Sequence, residues 1–376
     1  MRKTWTSCHG VALAKLDEHI MTDLERMLAL VEGRPVDRGI FAADFPLNDT
    51  TARWFSEGMS YDHDFGYDLQ ESAWLDYNAG YCPAWSNEVL EDEGETELVR
   101  DGNGVVKRQW KGNRSGMPQF VSFPVHDRAS WEEVKPRLDP DNPDRYGAAW
   151  SDCVEKVKDT ELMTGFSAIY LGGSFSYLRH MCGDNVYYMF HDEPELIREM
   201  LEFQGYRMCK MMDIFHEHGV RIDEFFIWED MCYKTGPLIG PEMFRVWMMG
   251  LYVQMIGKAR ECGARIINLD SDGNVSELLP LWVEAGVNMC HPFEVAAGMD
   301  VVEIKRQYGD QLLVRGGVDK REIAKGRDAI DREMARVNKA YEMGGYIPTM
   351  DHAVPPNVSW KDFLYFTKKK KEMVGL

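Results

Sequence analysis

Five short apolar segments in the second half of the chain each run directly into ionisable residues. FFIW is followed by Glu229-Asp230, IINL by Asp270-Ser271-Asp272-Gly273-Asn274, VNMC by His291-Pro292-Phe293-Glu294, LLVRGG leads through Val318 to Asp319-Lys320, and GYIPTM meets Asp351-His352. If these segments are parallel strands of one barrel, their ends share one mouth. A ring of carboxylates there repels itself unless a cation, a proton or an arginine relieves it. Asp270, Asp272 and His352 are candidates for a three-ligand group holding a divalent metal, because imidazole nitrogen and carboxylate oxygens suit harder or borderline ions. Glu229, Asp230, His291, Glu294 and Asp319 are the other candidates for proton transfer or substrate contact at such a mouth. Each position also has a plainer meaning. Asp and Asn favour caps and turns, D-S-D-G-N has the composition of an ordinary turn, and His291 ahead of Pro292 suits a structural role.

Holding such a ring together requires alternating strands and helices, and the chain supplies them from Thr160 onward. Apolar segments at 166–171, 223–228, 265–269, 287–291, 312–316 and 345–350 alternate with helical stretches such as 194–218, 241–261 and 327–343. That is the pattern of parallel strands joined by right-handed crossovers. A strand at about 37–44 makes seven, and the eighth is expected within 104–125. No glycine-rich phosphate loop follows the first strand, which favours a closed (β/α)8 TIM barrel over an open doubly wound sheet. Thr22 and Glu25 have capping-box spacing ahead of Leu24, Met27, Leu28 and Leu30, predicting an N-terminal helix, and Ser130 and Glu133 repeat that spacing. Residues 60–125 lack helical periodicity, and Asn103-Gly104 between 96–101 and 105–110 predicts a hairpin. The expected organisation is one domain over 1–376, with the hairpin region inserted at 60–125.

Composition removes several function classes. With 376 residues, 44% of them hydrophobic, the chain can build one large core. A formal charge of −19 opposes binding to nucleic acid or an anionic membrane. Eight cysteines lie scattered without CxxC pairs, as in proteins of a reducing compartment. The longest apolar run, around 246–257, is short of the roughly 20 residues that span a bilayer, and the N-terminus lacks a signal-peptide core, so a cytoplasmic location is expected. His216 and His218 lie about 200° apart on a helix and cannot share a metal. Met208, Met211, Met212, Met243, Met248 and Met249 at helical spacing suit adaptable core filling, or a pliable surface for a large flat ligand. Gly172-Gly173-Ser174 offers a weak anion seat at a helix start, and Lys368–Lys371 has the character of a solvated helix end.

The segments EDMCYKTGPLIGPEMF (229–244), DSDGNVSELLPLWVEAGVN (270–288), HPFEVAAGMDV (291–301), YGDQLLVRGGVDK (308–320) and GGYIPTMDHAVPPNVSW (344–360) together resemble the uroporphyrinogen decarboxylase superfamily. The resemblance covers 37–45 and most of 115–365, and implies a (β/α)8 barrel. Its decarboxylases carry R-Q-A-G-R after the first strand to bind substrate carboxylates; here that place holds FAADFPLND, which is acidic. Its corrinoid-linked methyltransferases hold zinc with H-x-C and a cysteine in a G-C-G-I-P-P-like segment. The matching positions here are Asp270, Asp272 and His352, so oxygen and nitrogen donors replace thiolates. DxDGN, PFEVAAGMDV, GGVDK and YIPTMDH are most similar to the subgroup that includes O-demethylases for methoxylated aromatics. The resemblance thus implies a methyltransferase moving a methyl group from a small methylated substrate to a corrinoid (cobalamin) on a separate partner protein, with zinc as metal and a homodimer as one oligomeric state it allows. The alternatives are a lyase acting on a tetrapyrrole or other polycarboxylate, for which Arg315 is the available pocket arginine, and a non-catalytic barrel carrying a tetrapyrrole or corrinoid.

Overall fold

A computed structural model describes residues 20–69, 72–73, 77–112, 117–148, 150–158, 160–167 and 171–376. Seven parallel strands form one sheet in chain order: β1 (Ser72–Ala73), β2 (Met163–Ser167), β3 (Glu224–Trp228), β4 (Ile266–Asp270), β5 (Met289–His291), β6 (Leu313–Arg315) and β7 (Tyr346–Ile347). Parallel neighbours cannot be joined by tight turns, and helices such as Pro194–Glu217, Met249–Glu261, Leu279–Ala285, Val301–Tyr308 and Arg327–Tyr341 make the crossovers. The segments expected from 223 onward coincide with β3 to β7. The strand expected at 166–171 begins earlier, at Met163, and 168–170 lie outside the described residues.

Alternation along each strand sorts the side chains. Phe225, Ile227, Ile267 and Leu269 pack into the main core shared with the helices. Their neighbours Glu224, Phe226, Trp228, Asn268 and Asp270 face the opposite side and line a cavity. At the starts of the strands, Ile266, Met289, Leu313 and Ile347 form a second, smaller core with Ile40, Ala42, Met27 and Val31. The last two come from helix Asp23–Val31, which opens with the expected Thr22/Glu25 capping box. One end of the sheet's inner face is therefore apolar and plugged, and the chemistry is confined to the other end. Of the methionines noted above, Met208, Met211, Met212 and Met248 are fully buried, and Met243 and Met249 pack against them, which is core filling.

Several expectations are corrected. Thr96–Arg100 does pair antiparallel with Val106–Trp110, but Glu88–Asp92 and Gln119–Ser122 extend the pair into a separate four-stranded sheet. Among the described residues of 104–125 there is thus no eighth parallel strand. Nor do residues 37–44 form a strand. Side chains take the place of ladder bonds: Asp68 Oδ2 accepts from the Phe41 amide (2.8 Å) and Asp44 Oδ1 from the Met350 amide (2.6 Å). Just beyond, Val354 donates to the Phe45 carbonyl and Leu47 to the Val354 carbonyl, so the segment lies beside the chain that follows β7. Ser130 is the third residue of helix Arg128–Val134 rather than its cap; Asp127 caps it, with Ser130 closing the box. The stretch 241–261 divides at Met248 into Pro241–Trp247 and Met249–Glu261. Lys370 is not solvated. It shares the inward face of helix Trp360–Val374 with Phe363, Phe366 and Val374, is fully buried, and ion-pairs with Asp44.

Candidate active site

The strands finish around a cavity of about 610 Å³ whose walls include the rings of Phe45, Phe226 and Trp228 and whose polar lining includes Asp230, Asp270, Asp272, His291, Arg315 and His352. An apolar wall excludes water and sharpens every charge inside it.

Glu229 and Asp230 leave β3 with opposite fates. Glu229 is fully buried. Its carboxylate accepts from the Ser174 and Ser176 amides (2.6 and 2.7 Å) and from the hydroxyls of Ser174 (2.9 Å) and Tyr252 (2.5 Å). These amides belong to the start of helix Phe175–Cys182, where a negative charge is favoured. The anion seat suggested by Gly172-Gly173-Ser174 is therefore filled from within. Gly173 permits this, since a Cβ there would fall 2.6 Å from Glu229 Oε2. Asp230 instead lines the cavity and, among the described residues, accepts one long bond, 3.3 Å, from the Asp272 amide. Burial, then the charge of Asp272, pushes its carboxyl up to about 6.

Two histidine–carboxylate pairs stand in the mouth with the same separation. His291 Nδ1 lies 3.3 Å from Asp270 Oδ1, and His352 Nε2 lies 3.3 Å from Asp272 Oδ2. The inner pair is enclosed. Burial, then the charges of Asp272 and Asp230, raises Asp270 to about 7, while burial, then Arg315, lowers His291 to about 3. The uncharged state of both partners is favoured. His291 also stacks on Phe226, with centroids 5.9 Å apart. The outer pair is more open, His352 being 42% exposed, and the hydrogen bond to Asp272 holds its imidazole above the usual range against the opposing effect of burial.

Glu294 completes the outer group. Single ligand atoms of Asp272, Glu294 and His352 all lie within 4.8 Å of one another. The local chain explains the convergence. Gly273 turns at φ 83°, where a Cβ would meet the Tyr233 carbonyl oxygen at 2.8 Å, and its amide donates to Glu294 Oε2 at 3.0 Å. Phe293, buried at φ 57°, sets the direction in which Glu294 leaves. Two oxygens and one imidazole nitrogen with open positions beside them fit a borderline divalent ion such as zinc. Lys320 Nζ, 3.5 Å from Glu294 Oε1, supplies part of the balancing charge. Of the three ligands expected from sequence, two are thus brought together. Asp270 faces His291 instead, and Glu294 joins the group.

Asp319 takes no part in the cavity. It caps helix Lys320–Ile323 and receives Arg321 in a bidentate pair (2.8 and 2.7 Å). Burial raises its pKa, but the bonds and charge of Arg321 outweigh this and hold it below the usual range. Asp351 is likewise internal, accepting from the Val295 and Lys320 amides. Inward-facing Ser167, Glu224 and Asn268, together with Asp44, line the cavity and were not singled out by the strand-end pattern. Their signal was parity: counting back by two from Asp270 reaches Asn268, and from Trp228 reaches Phe226 and Glu224.

A parallel α/β sheet whose strands empty into an acidic, aromatic-walled cavity is the architecture of TIM-barrel-type enzymes. The chain belongs to the uroporphyrinogen decarboxylase (URO-D) family, whose model matches residues 112–373. Among solved structures it is similar to a methyltransferase from Methanosarcina mazei, with a TM-score of 0.59 at 15% identity over 93% of this chain and 98% of that one; this likeness shows the fold. A Xaa-Pro dipeptidase with bound methionine in its active site matches at a TM-score of 0.31 and 12% identity, over 74% of this chain and 81% of that one, too distant to carry an argument. No curated protein is matched. Among the described residues no helix is long and apolar enough to cross a membrane.

Proposed function

We propose that this chain is a methyltransferase that removes a methyl group from a small methylated compound, a methoxylated aromatic in its sharpest form, and passes it to a corrinoid carried by a separate protein. The observation that carries this is the Asp272, Glu294 and His352 group at the rim of an aromatic-walled cavity. The same proposal places the chain in the cytoplasm and takes its sheet as a closed (β/α)8 barrel, with residues 39–47 in the eighth place. When bound, a zinc ion at this group supplies Lewis acidity to an ether oxygen, and a reduced corrinoid supplies the methyl acceptor. The chain's own residues do the rest. Phe226, Trp228 and Phe45 hold an aromatic ring and exclude water. Asp270, raised to about 7 by its surroundings, holds a proton in a substantial fraction of molecules near neutral pH and can give it to a developing phenolate, with Asp230, raised to about 6, beside it. His291, held neutral by burial and Arg315, stacks on Phe226 and flanks Asp270 without adding a charge beside it.

A lyase acting on a polycarboxylate is less well served. Such a substrate needs several cations, whereas the cavity lining offers Arg315 against Asp44, Glu224, Asp230, Asp270 and Asp272. The test is elemental analysis of purified protein together with methyl transfer from methoxylated aromatics to reduced free cobalamin, followed by absorbance. About one zinc per chain is expected, lost in Asp272→Ala and His352→Ala. A folded, active wild type without metal would remove the ligand group from the proposal; metal with no transfer from any methyl donor would remove the methyltransferase.

A further inference from the structure

Below the rim, the cavity contains polar atoms that none of the described residues satisfies. Asn268 is 2% and Ser167 9% exposed, yet Asn268 Oδ1 and Ser167 Oγ have no hydrogen-bond partner among the described residues, and both residues line the cavity. The amide orientation of Asn268 is set by its Nδ2, which donates to Glu224 Oε1 at 2.7 Å. That leaves Oδ1 as the acceptor. Arg315 enters the same cavity from β6. Its one hydrogen bond among the described residues is a long contact, 3.4 Å, from Nη2 to the Ala43 carbonyl. A guanidinium with most of its donors unused in an enclosed space is costly to maintain without a ligand that takes them up.

Ser167 and Asn268 share a level. Ser167 aligns with Phe226 and Phe226 with Asn268 across β2, β3 and β4, while Trp228, Asp270 and His291 align one inward layer higher, and the Cys290–Val314 register puts the start of the Arg315 side chain at that higher level. The deep layer therefore presents a flat ring, Phe226, between a hydroxyl and an amide carbonyl, with the Arg315 guanidinium entering from the layer above under the charges of Asp44, Glu224 and Asp270. This complements an aromatic ring bearing an anionic oxygen pair and a separate O–H donor.

We infer that Ser167, Asn268 and Arg315 form a head-group subsite that selects hydroxylated aromatic carboxylates, the carboxylate meeting Arg315 and the Ser167 hydroxyl and the substrate's O–H donating to Asn268 Oδ1. The inference rests on the methyltransferase reading only for its upper half. A ring seated on Phe226 with its acid group downward directs the remaining ring edge, where a methyl ether would lie, toward the rim group. Neutral methyl ethers lack the group that Arg315 requires, so the cavity discriminates by charge before any chemistry occurs.

Binding of unmethylated probes tests the subsite without any methyl transfer. Isothermal titration calorimetry of the full chain would compare 3-hydroxybenzoate, 3-hydroxybenzamide and benzoate. Charged hydrogen bonds of the kind assigned to Arg315 predict at least about tenfold tighter binding of the acid than of its amide. Loss of the O–H in benzoate is expected to cost about threefold or more. Arg315→Leu should erase the preference for the acid and Arg315→Lys retain part of it, with thermal melts verifying that both fold; the wild-type comparison needs no variant. Equal affinity for acid and amide, or an acid preference unchanged in folded Arg315→Leu, overturns the subsite. Methyl transfer from neutral ethers would leave the function standing and sink the subsite. Acid-selective binding that Arg315→Leu erases, with no transfer from any donor, would do the reverse.

Discussion

The two histidine–carboxylate pairs of the mouth have the same 3.3 Å spacing and opposite electrostatics. The inner pair, Asp270 with His291, sits against Phe226 and is driven toward neutrality, Asp270 by burial and the charges of Asp272 and Asp230 against the pull of Arg315, His291 by burial and Arg315. The outer pair, Asp272 with His352, sits beside Glu294 and solvent, and its charges reinforce each other. Spacing alone therefore does not decide what such a pair does. Enclosure favours the uncharged form of one pair, and exposure beside a third carboxylate leaves the other suited to the cation proposed above.

The largest effect should come from breaking the outer pair. His352→Ala or Asp272→Ala is expected to lose bound metal and to reduce methyl transfer by about 100-fold or more, measured by elemental analysis and initial rates. His291→Ala should keep the metal and lose on the order of tenfold in rate. Metal loss in His291→Ala, or metal retention in His352→Ala, would erase the division between the pairs.

Next in size is the contrast between the neighbours Glu229 and Asp230. Glu229→Gln points an N–H at amide and hydroxyl donors and should cost roughly 2–4 kcal/mol of stability in denaturant titrations. Asp230→Asn, whose carboxylate accepts a single long bond, should change stability by under about 1 kcal/mol. Similar losses in the two variants would mean that Asp230 also belongs to the framework.

A smaller effect separates the inner pair by pH. The folded pKa of Asp270 is raised to about 7 from 3.8. Between those values the native state keeps a proton that the unfolded chain has released, so this group's contribution to stability falls as pH rises through this window and levels off above it, while His291, lowered to about 3 from 6.5, adds an opposite slope in both wild type and variant. Asp270→Asn has no such proton. In metal-stripped protein the variant should gain, relative to wild type, about 4 kcal/mol between about pH 4 and pH 8. Parallel stability–pH curves would show that the carboxyl is ionised in the fold at low pH.

Strand ends were legible in the sequence because β3 to β7 are short apolar runs that stop at charged residues, and the same logic found the carboxylates at the rim but not Glu224 and Asp44 in the cavity lining. It did not separate cap from cavity. Asp319 and Glu229 end strands as Asp230 and Asp272 do, but Arg321 and the amides before Phe175 claim them, and those partners are set by loops between elements. The sheet's first strand and the region beside β7 were misplaced because hydrophobic patterning detects ladders. Residues 37–44 are apolar enough to suggest one, while their bonds run to Asp68 and through Asp44, side chains distant in sequence. Lys370 was misjudged for the same reason: its run of four lysines hides that one lies on the buried face of its helix.

The smallest perturbation probes the comparison without altering the protein. In histidine-labelled, metal-free protein, NMR titration should show the His352 imidazole protonating above 6.5, since Asp272 stabilises its cation. The His291 imidazole should stay neutral until close to pH 3, because burial and Arg315 both oppose a positive charge there. Its 3.3 Å neighbour cannot reverse this while Asp270 itself holds a proton. Asp270→Asn should accordingly leave the His291 titration nearly unmoved, whereas Asp272→Asn should lower that of His352. If both imidazoles instead titrate together near 6.5, the inner pair is ionised like the outer one, Asp270 carries no proton for a leaving group, and acid catalysis must be assigned to Asp230.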